Sequence, residues 1–261
     1  MNCKICNNPA NIIFTKKVLH KYDVQYHQCG TCYFIQTDDP FWLDEAYNSA
    51  INSSDIGLIS RNLVFTEEVT MLFRLSGFDA NKKYLDYGAG YGMFVRMMRD
   101  NGYNFYWSDD YCDNMYTRKF IANELPVNEQ KFEIVTAFEV FEHLPDPIKE
   151  IEKILNCSDS ILFSTELTKG NNTEEINNWW YIAPEHGQHV AFYNKKTLQY
   201  LANKFGLNLY TRKNLHFLTK KKIANWKYVL ATTFKIAKIY NTIRLPDSLL
   251  ESDYKLYLKD Q

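Results

Sequence analysis

Cys3-Lys4-Ile5-Cys6 and Cys29-Gly30-Thr31-Cys32 are two CxxC pairs near the amino terminus. Four thiolates in two close pairs suit tetrahedral Zn²⁺, each pair clasping the ion from one turn. With sulfur at all four positions (Cys3, Cys6, Cys29, Cys32), such an ion staples a module and leaves no position for chemistry. Redox use of a CxxC motif needs one pair rather than two, and disulfides fit poorly in a cytoplasmic chain. Cys112 and Cys157 are isolated and read as ordinary thiols.

A second chemical stretch is Tyr84-Leu85-Asp86-Tyr87-Gly88-Ala89-Gly90-Tyr91-Gly92-Met93-Phe94. A short apolar strand breaks into a turn with glycine at alternate positions, then an amphipathic helix begins. Glycines there let backbone approach a ligand where side chains would clash, with helix-start amides facing it. An acid follows a second strand at Asp109, with Asp110 competing for the same role. Dinucleotide enzymes share this outline, but their GxGxxG spacing differs from Gly88-x-Gly90-x-Gly92, and no third glycine stands where their pyrophosphate requires one.

The third stretch is Trp179 to Tyr193, which holds His186, His189, Glu185 and clustered aromatics. Imidazoles with an unperturbed pKa near 6.5 can take a proton from a hydroxyl, and aromatic rings stack on the apolar faces of sugars or bases. His143, in Glu142-His143-Leu144, reads as part of a helix entry rather than a catalytic group.

The elements that must carry these residues alternate. A hairpin is expected from Ile12 to Tyr26, a helix from Ile56 to about Leu75 with Leu63, Val64, Val69, Leu72 and Phe73 buried, and strands at Lys83–Tyr87, Asn104–Trp107, Phe132–Phe138 and Ser160–Thr165. Helices are expected at Ile148–Leu155 and Lys195–Phe205, then an antiparallel pair at Leu207–Thr211 and His216–Thr219, and one helix from about Ile223 to Tyr240 with Trp226, Leu230, Phe234 and Ala237 on its apolar side. Strand–helix alternation means an α/β fold with a mostly parallel sheet and helices on both faces, whose ligands sit at the carboxyl ends of the strands. The expected organisation is a zinc-binding β module at 1–40, a helical linker or lid at 41–80 containing a polar patch at 48–54, the sheet domain at 81–220, and a C-terminal helical extension at 221–261. Tyr47 and Arg61, in the linker, are candidates to reach the ligand.

With 261 residues, 46% of them hydrophobic, there is enough for one large domain and a small appendage. No run reaches the ~20 apolar residues that span a bilayer, and no basic-then-apolar leader is present, so a cytoplasmic location is expected. Net charge is −1, yet residues 186–246 hold twelve Lys and Arg and no acid, leaving −13 on the rest. That asymmetry points to an anionic partner, with Lys220, Lys221 and Lys222 candidates to hold a diphosphate.

The block Leu85 to Gly92 with Asp109, together with Phe132-Glu133-Ile134-Val135-Thr136-Ala137-Phe138-Glu139-Val140-Phe141-Glu142-His143-Leu144, resembles the class I S-adenosylmethionine-dependent methyltransferases. The resemblance runs over roughly residues 82 to 220. It implies a Rossmann-like seven-stranded sheet with a reversed final strand, and S-adenosylmethionine as cofactor. Asp86, Gly88, Ala89, Gly90 and Gly92 would lie under the methionine part, Asp109 or Asp110 would bind the ribose hydroxyls, Phe138 and Glu139 would line the methyl-donor side, and the adenine would lie near Ile121 to Asn123.

The four-cysteine module joined to this core is similar to that of sugar methyltransferases of deoxysugar and surface-polysaccharide pathways. Their Tyr-His-Glu-His block corresponds to His186-Gly187-Gln188-His189, which retains the last histidine. His189 is therefore the first choice of base, with His186 the second. The departures at His186 and Gln188 favour O-methylation over C-methylation, since forming a carbanion needs the fuller acid–base set. The expected function is O-methylation of a hydroxyl on a nucleotide-activated sugar for capsule or O-antigen, by an enzyme that could be a homodimer. A sugar C-methyltransferase, a tRNA or rRNA methyltransferase and a non-catalytic cofactor-binding protein are the alternatives. The nucleic-acid alternative lacks a base-methylation signature such as Asn-Pro-Pro-Tyr.

Overall fold

The computed structural model describes residues 1–47, 55–169, 172–243 and 246–259. The polar patch expected at 48–54 and Arg244 of the basic stretch lie outside them.

Among the described residues, ten strands form two sheets. β1 (Ala10–Val18) and β2 (Tyr22–Cys29) make the expected hairpin, and β3 (Ile35–Thr37) and β8 (Ala191–Phe192) extend it, in the order β1-β2-β3-β8. The larger sheet contains β4 (Lys83–Tyr87), β5 (Asn104–Ser108), β6 (Val135–Phe138), β7 (Ser160–Ser164), β9 (Asn208–Arg212) and β10 (Leu215–Thr219), in the order β5-β4-β6-β7-β10-β9. β4 pairs in parallel with β5 and β6, and β9 with β10 antiparallel. The reversal expected at the end of the sheet is therefore present.

The sheet has six strands rather than the expected seven. On β5 the next strand is reduced to one parallel bridge, Trp107 to Ile121. The chain then turns into a 3-10 segment at Ala122–Glu124, and Leu125 is held extended before Pro126. The Ile121 and Ala122 carbonyls accept from the Glu124 and Leu125 amides at 3.2 and 3.1 Å inside this turn, so the ladder does not continue past the bridge.

The helices are α1 (Leu43–Ala46), α2 (Leu58–Ser76), α3 (Met93–Asp100), α4 (Pro147–Leu155), α5 (Thr173–Asn177), α6 (Lys195–Phe205), α7 (Asn225–Ala231), α8 (Phe234–Asn241) and α9 (Leu250–Leu258). Start signals are local: Asp146 caps α4 ahead of Pro147, Asn172 caps α5, and Asn194 with Thr197 forms a capping box on α6. α2 buries Val69, Leu72 and Phe73 as expected, but Leu63 near its start is exposed. The single helix expected from Ile223 to Tyr240 is two. Thr232 and Thr233 each turn a hydroxyl back to the carbonyl four residues earlier, on Tyr228 and Val229, and the helix breaks between them. Tyr228, Ala231 and Ala237 are buried, whereas Trp226 is exposed.

The chain divides into two compact units. One is Met1–Asn52, Phe138–Asn156 and Phe163–Lys220; the other is Ser53–Ala137, Cys157–Leu162 and Lys221–Gln261. The first has a core of Val24, Tyr26, Ile35, Trp42, Tyr181 and Phe192, with the Trp42 indole N–H donating to Gly187 O at 2.8 Å. In the second, Phe73 stacks on Tyr84 and Tyr84 on Phe105, with centroids 4.9 and 5.2 Å apart. These contacts seat α2 against β4 and β5, the strands that present the glycine turn and Asp109. The same unit buries Asp253 of α9, which takes a two-pronged contact from Arg99 of α3 at 2.8 and 2.7 Å and a third from Arg96 at 2.8 Å. The Arg99 guanidinium also lies 3.4 Å from the Phe120 ring centroid. A fully paired buried carboxylate fixes α9 to the helix that follows the glycine turn.

Candidate active site

β4 ends at Tyr87, and the chain passes through Gly88, Gly90 and Gly92 with φ of 69°, 53° and 84°. Each value lies in the left-handed region, so the alternate spacing has a direct conformational cause. At Gly92 a Cβ would also stand 2.7 Å from Thr117 Oγ1. The turn is fastened from β5. Gly88 and Ala89 N–H donate to Ser108 O at 2.8 and 3.1 Å, and the Trp107 indole N–H donates to Gly90 O at 2.8 Å.

Asp109 is more heavily engaged than a carboxylate waiting for a diol. Its Oδ2 accepts from Gly90 N–H at 2.8 Å, and its Oδ1 accepts from the Tyr111 and Cys112 amides, each at 2.8 Å. One lone pair on Oδ2 remains for a ligand hydroxyl. Asp110 is exposed and its carboxylate makes no hydrogen bond or ion pair among the described residues. Asp86 lies beneath the turn, 4% exposed, accepting from the Thr136 hydroxyl at 2.6 Å. Burial pushes its carboxyl up to about 7, opposed by Thr136 and reinforced by the charge of Asp109.

The turn fits a nucleoside cofactor. Gly88 and Tyr91 are exposed, and Ala89 and Gly90 partly so, which leaves main chain open to a ligand at the carboxyl end of a parallel strand with acids beside it. Arg61 of α2 is occupied by a paired contact to Asp55, just ahead of the helix, at 2.7 and 2.6 Å. Lys221 sets its ammonium on Gly77 O at 3.2 Å and 4.0 Å from the Phe78 ring centroid.

At the end of β6, Phe138 is half-buried and Glu139 adopts φ of 52°. A left-handed non-glycine residue costs on the order of 1–3 kcal/mol and must be held by its surroundings. Ser164 holds it, accepting from Glu139 N–H at 2.9 Å and donating to Glu139 Oε1 at 2.5 Å.

Four residues past β6, the structure assembles a cluster that the sequence reading did not. Glu142 brings a carboxylate oxygen, and His143 and His189 a ring nitrogen each, to within 4.8 Å of one another. Glu142 is fully buried and accepts from the Tyr181 hydroxyl at 2.6 Å. The rings of His143 and His189 stand edge to face, 5.0 Å apart, with Tyr47 6.1 Å from His143. His189 Nδ1 lies 2.6 Å from Tyr181 O, and His143 Nδ1 lies 3.2 Å from Gln188 O. A carbonyl can only accept, so these contacts assign the proton to Nδ1 and leave Nε2 as a lone pair on both rings. Burial holds both imidazoles neutral: His143 falls to about 3, helped by His189, and His189 is also lowered.

His186 is not part of this cluster; its Nε2 faces Glu185 at 3.6 Å. Gln188 is buried and donates to Ala46 O at 2.9 Å. An acid next to a histidine at 142–143 was the available signal for the cluster, but pairing it with His189 required the fold.

In the N-terminal module, Cys3 and Cys32 Sγ are 3.5 Å apart, Cys6 and Cys29 Sγ 3.4 Å, and all four lie within 4.8 Å of one another. Bonds of about 2.3 Å to a tetrahedral Zn²⁺ place sulfurs roughly 3.8 Å apart, so the set fits the ion. The Ile5 and Thr31 amides point at Cys3 and Cys29 sulfur, each at 3.4 Å. Thr197 and Asn194 of α6 bind the Cys32 and Tyr33 carbonyls at 2.8 and 3.1 Å.

A parallel α/β sheet of this strand order, with a left-handed glycine turn after β4 and an acid after β5, defines an S-adenosylmethionine-dependent methyltransferase of class I. The chain belongs to the family described as "Methyltransferase domain", whose model matches residues 65–212. No curated protein matches it. Among solved structures it is similar to magnesium protoporphyrin IX methyltransferase from Synechocystis PCC 6803 with bound SAH, at 12% identity and TM-score 0.43, covering 69% of this chain and 94% of that one. It is also similar to the plantazolicin methyltransferase BpumL in complex with SAH, at 12% identity and TM-score 0.45, covering 78% of this chain and 90% of that one. Among the described residues, no helix is long and apolar enough to cross a membrane.

Proposed function

We propose that this methyltransferase O-methylates a hydroxyl of a nucleotide-activated sugar used in surface polysaccharide, with a structural Zn²⁺ on Cys3, Cys6, Cys29 and Cys32. When bound, S-adenosylmethionine supplies an electrophilic methyl on a sulfonium. The chain's part is then to bind, orient and remove one proton. Gly88, Ala89, Gly90 and Gly92 hold the methionine portion over Asp86, Asp109 takes a ribose hydroxyl on Oδ2 with Asp110 beside it, and Phe138 and Glu139 line the donor side.

The observation that carries the acceptor reading is the fixed tautomer of His189. With Nδ1–H committed to Tyr181 O at 2.6 Å, its Nε2 keeps a lone pair for the acceptor, while the burial that lowers its pKa makes it a weak base on its own. A hydroxyl acceptor therefore gives up its proton at the cluster around His189, and His186, beside Glu185, serves the loop. Exposed Trp180 in the same loop offers a face for a sugar ring.

The test is turnover on a panel of nucleotide sugars with methyl-labelled S-adenosylmethionine. Label should enter a sugar hydroxyl with the wild type and fall 10²–10⁴-fold in His189→Ala, the scale of acid–base catalysis. Equal labelling by the two proteins would remove the assignment.

A further inference from the structure

We infer that Glu142, His143 and His189 form a divalent-cation site, distinct from the four-cysteine centre, that binds an acceptor through two neighbouring oxygens. The inference rests on the proposed reading of this cluster as the acceptor site. The geometry is that of a ligand set rather than a hydrogen-bonded relay. A ring nitrogen of each histidine and a Glu142 carboxylate oxygen converge within 4.8 Å, a spacing that side-chain rotations close to metal bonds of about 2.0–2.2 Å. Both imidazoles are aimed by main-chain carbonyls, Gln188 O on His143 and Tyr181 O on His189, which fixes Nε2 as the ligating atom in each. Such outer partners are the usual means of orienting a metal-bound histidine. Tyr181 does the same for the carboxylate, donating to Glu142 Oε1 at 2.6 Å.

The donor set also says which ions and which acceptors. Two imidazoles and one carboxylate suit Mn²⁺, Fe²⁺ or Zn²⁺, and three protein ligands leave positions open, unlike the closed four-sulfur site. Adjacent open positions favour an acceptor with vicinal oxygens: a diol, or a hydroxyl beside a carbonyl. A hydroxyl held there would be acidified by the cation; its O–H bond would break with the electron pair kept on oxygen and the proton passing to solvent water. His189 would then promote loss of the acceptor's proton through the cation, as a ligand, in place of taking that proton itself.

The test uses full-length protein already loaded with zinc on its cysteines and titrated with Mn²⁺, which thiolates bind poorly. Free Mn²⁺ is followed by electron paramagnetic resonance, and Zn²⁺ is titrated in parallel by calorimetry. The expected result is one further divalent ion per chain. Affinity for it should be at least 10-fold weaker in His143→Ala and in Glu142→Gln and unchanged in His186→Ala, with the circular dichroism spectrum retained in all three. Absence of the extra site for both ions in wild type, or equal affinity in the cluster variants, would overturn the proposal. Cation binding with no methylation of any sugar would leave the site standing while removing the sugar reading. Methylation at the wild-type rate by His143→Ala would overturn the site and leave that reading intact.

Discussion

The Gly90 amide donates to Asp109 Oδ2 at 2.8 Å, joining the glycine turn after β4 to the acid after β5. One carboxylate thus braces the turn and, in the proposed reading, offers its remaining lone pair to the cofactor. Replacing it removes both functions. Asp109→Asn should be nearly as harmful as Asp109→Ala, because one of its two side-chain positions becomes an NH₂ while Gly90, Tyr111 and Cys112 all present donors. Both variants should bind S-adenosylhomocysteine at least 10-fold more weakly by calorimetry, consistent with about 1–3 kcal/mol for a charged hydrogen-bonded group. Wild-type affinity in Asp109→Ala would transfer the ribose role to Asp110.

Asp86 makes stability depend on pH. Its carboxyl sits near 7 in the folded chain against an ordinary 3.8, chiefly because it is buried. A raised pKa contributes stability that is fully present below pH 3.8 and is lost as pH rises through about 7. Asp86→Asn carries no such charge. Its stability relative to wild type should climb between pH 4 and 7.5, by an amount on the order of a few kcal/mol, and its melting temperature with it. A constant offset across that range in thermal scans would contradict the assignment.

Asp253 is 2% exposed and meets two arginines of α3. Asp253→Ala leaves Arg99 buried beside Phe120 without its counter-charge, a loss of about 3–5 kcal/mol. Chemical denaturation should show a lowered midpoint, whereas Glu251→Ala on the exposed side of α9 should change it by less than about 0.5 kcal/mol.

The four-cysteine centre is expected to hold zinc and to stabilise its module. Cys29→Ser should lower the zinc content by one equivalent in elemental mass spectrometry and cost several kcal/mol of stability. Full zinc content in that variant would exclude Cys29 as a ligand.

What could be read from the chain alone follows from the range of each interaction. Gly88, Gly90 and Gly92 carry their meaning locally, because three alternate left-handed positions leave few other residue types. The two CxxC pairs do the same through fixed spacing, and the hairpin, α4 and α6 through periodicity. The seventh strand was misjudged because the resemblance does not register the 3-10 turn at Ala122–Glu124, which follows the single bridging residue directly. The long C-terminal helix was misjudged because apolar periodicity continues across Thr232 and Thr233, whose hydroxyls bend the backbone. The pairing of Arg99 with Asp253, and of Glu142 and His143 with His189, joins residues far apart in sequence, and no local pattern announces either.

Of all measurements, the fate of the methyl group bears most directly on the function. Purified full-length protein, S-adenosylmethionine bearing a heavy methyl, and a mixture of nucleotide sugars and tRNA should be incubated together and resolved by mass spectrometry with fragmentation. The account predicts a gain of one heavy methyl on the sugar fragment of a nucleotide sugar, with S-adenosylhomocysteine formed in equal amount. Heavy methyl found only on tRNA, or no methyl transferred to the sugars by protein that binds S-adenosylhomocysteine, would contradict it.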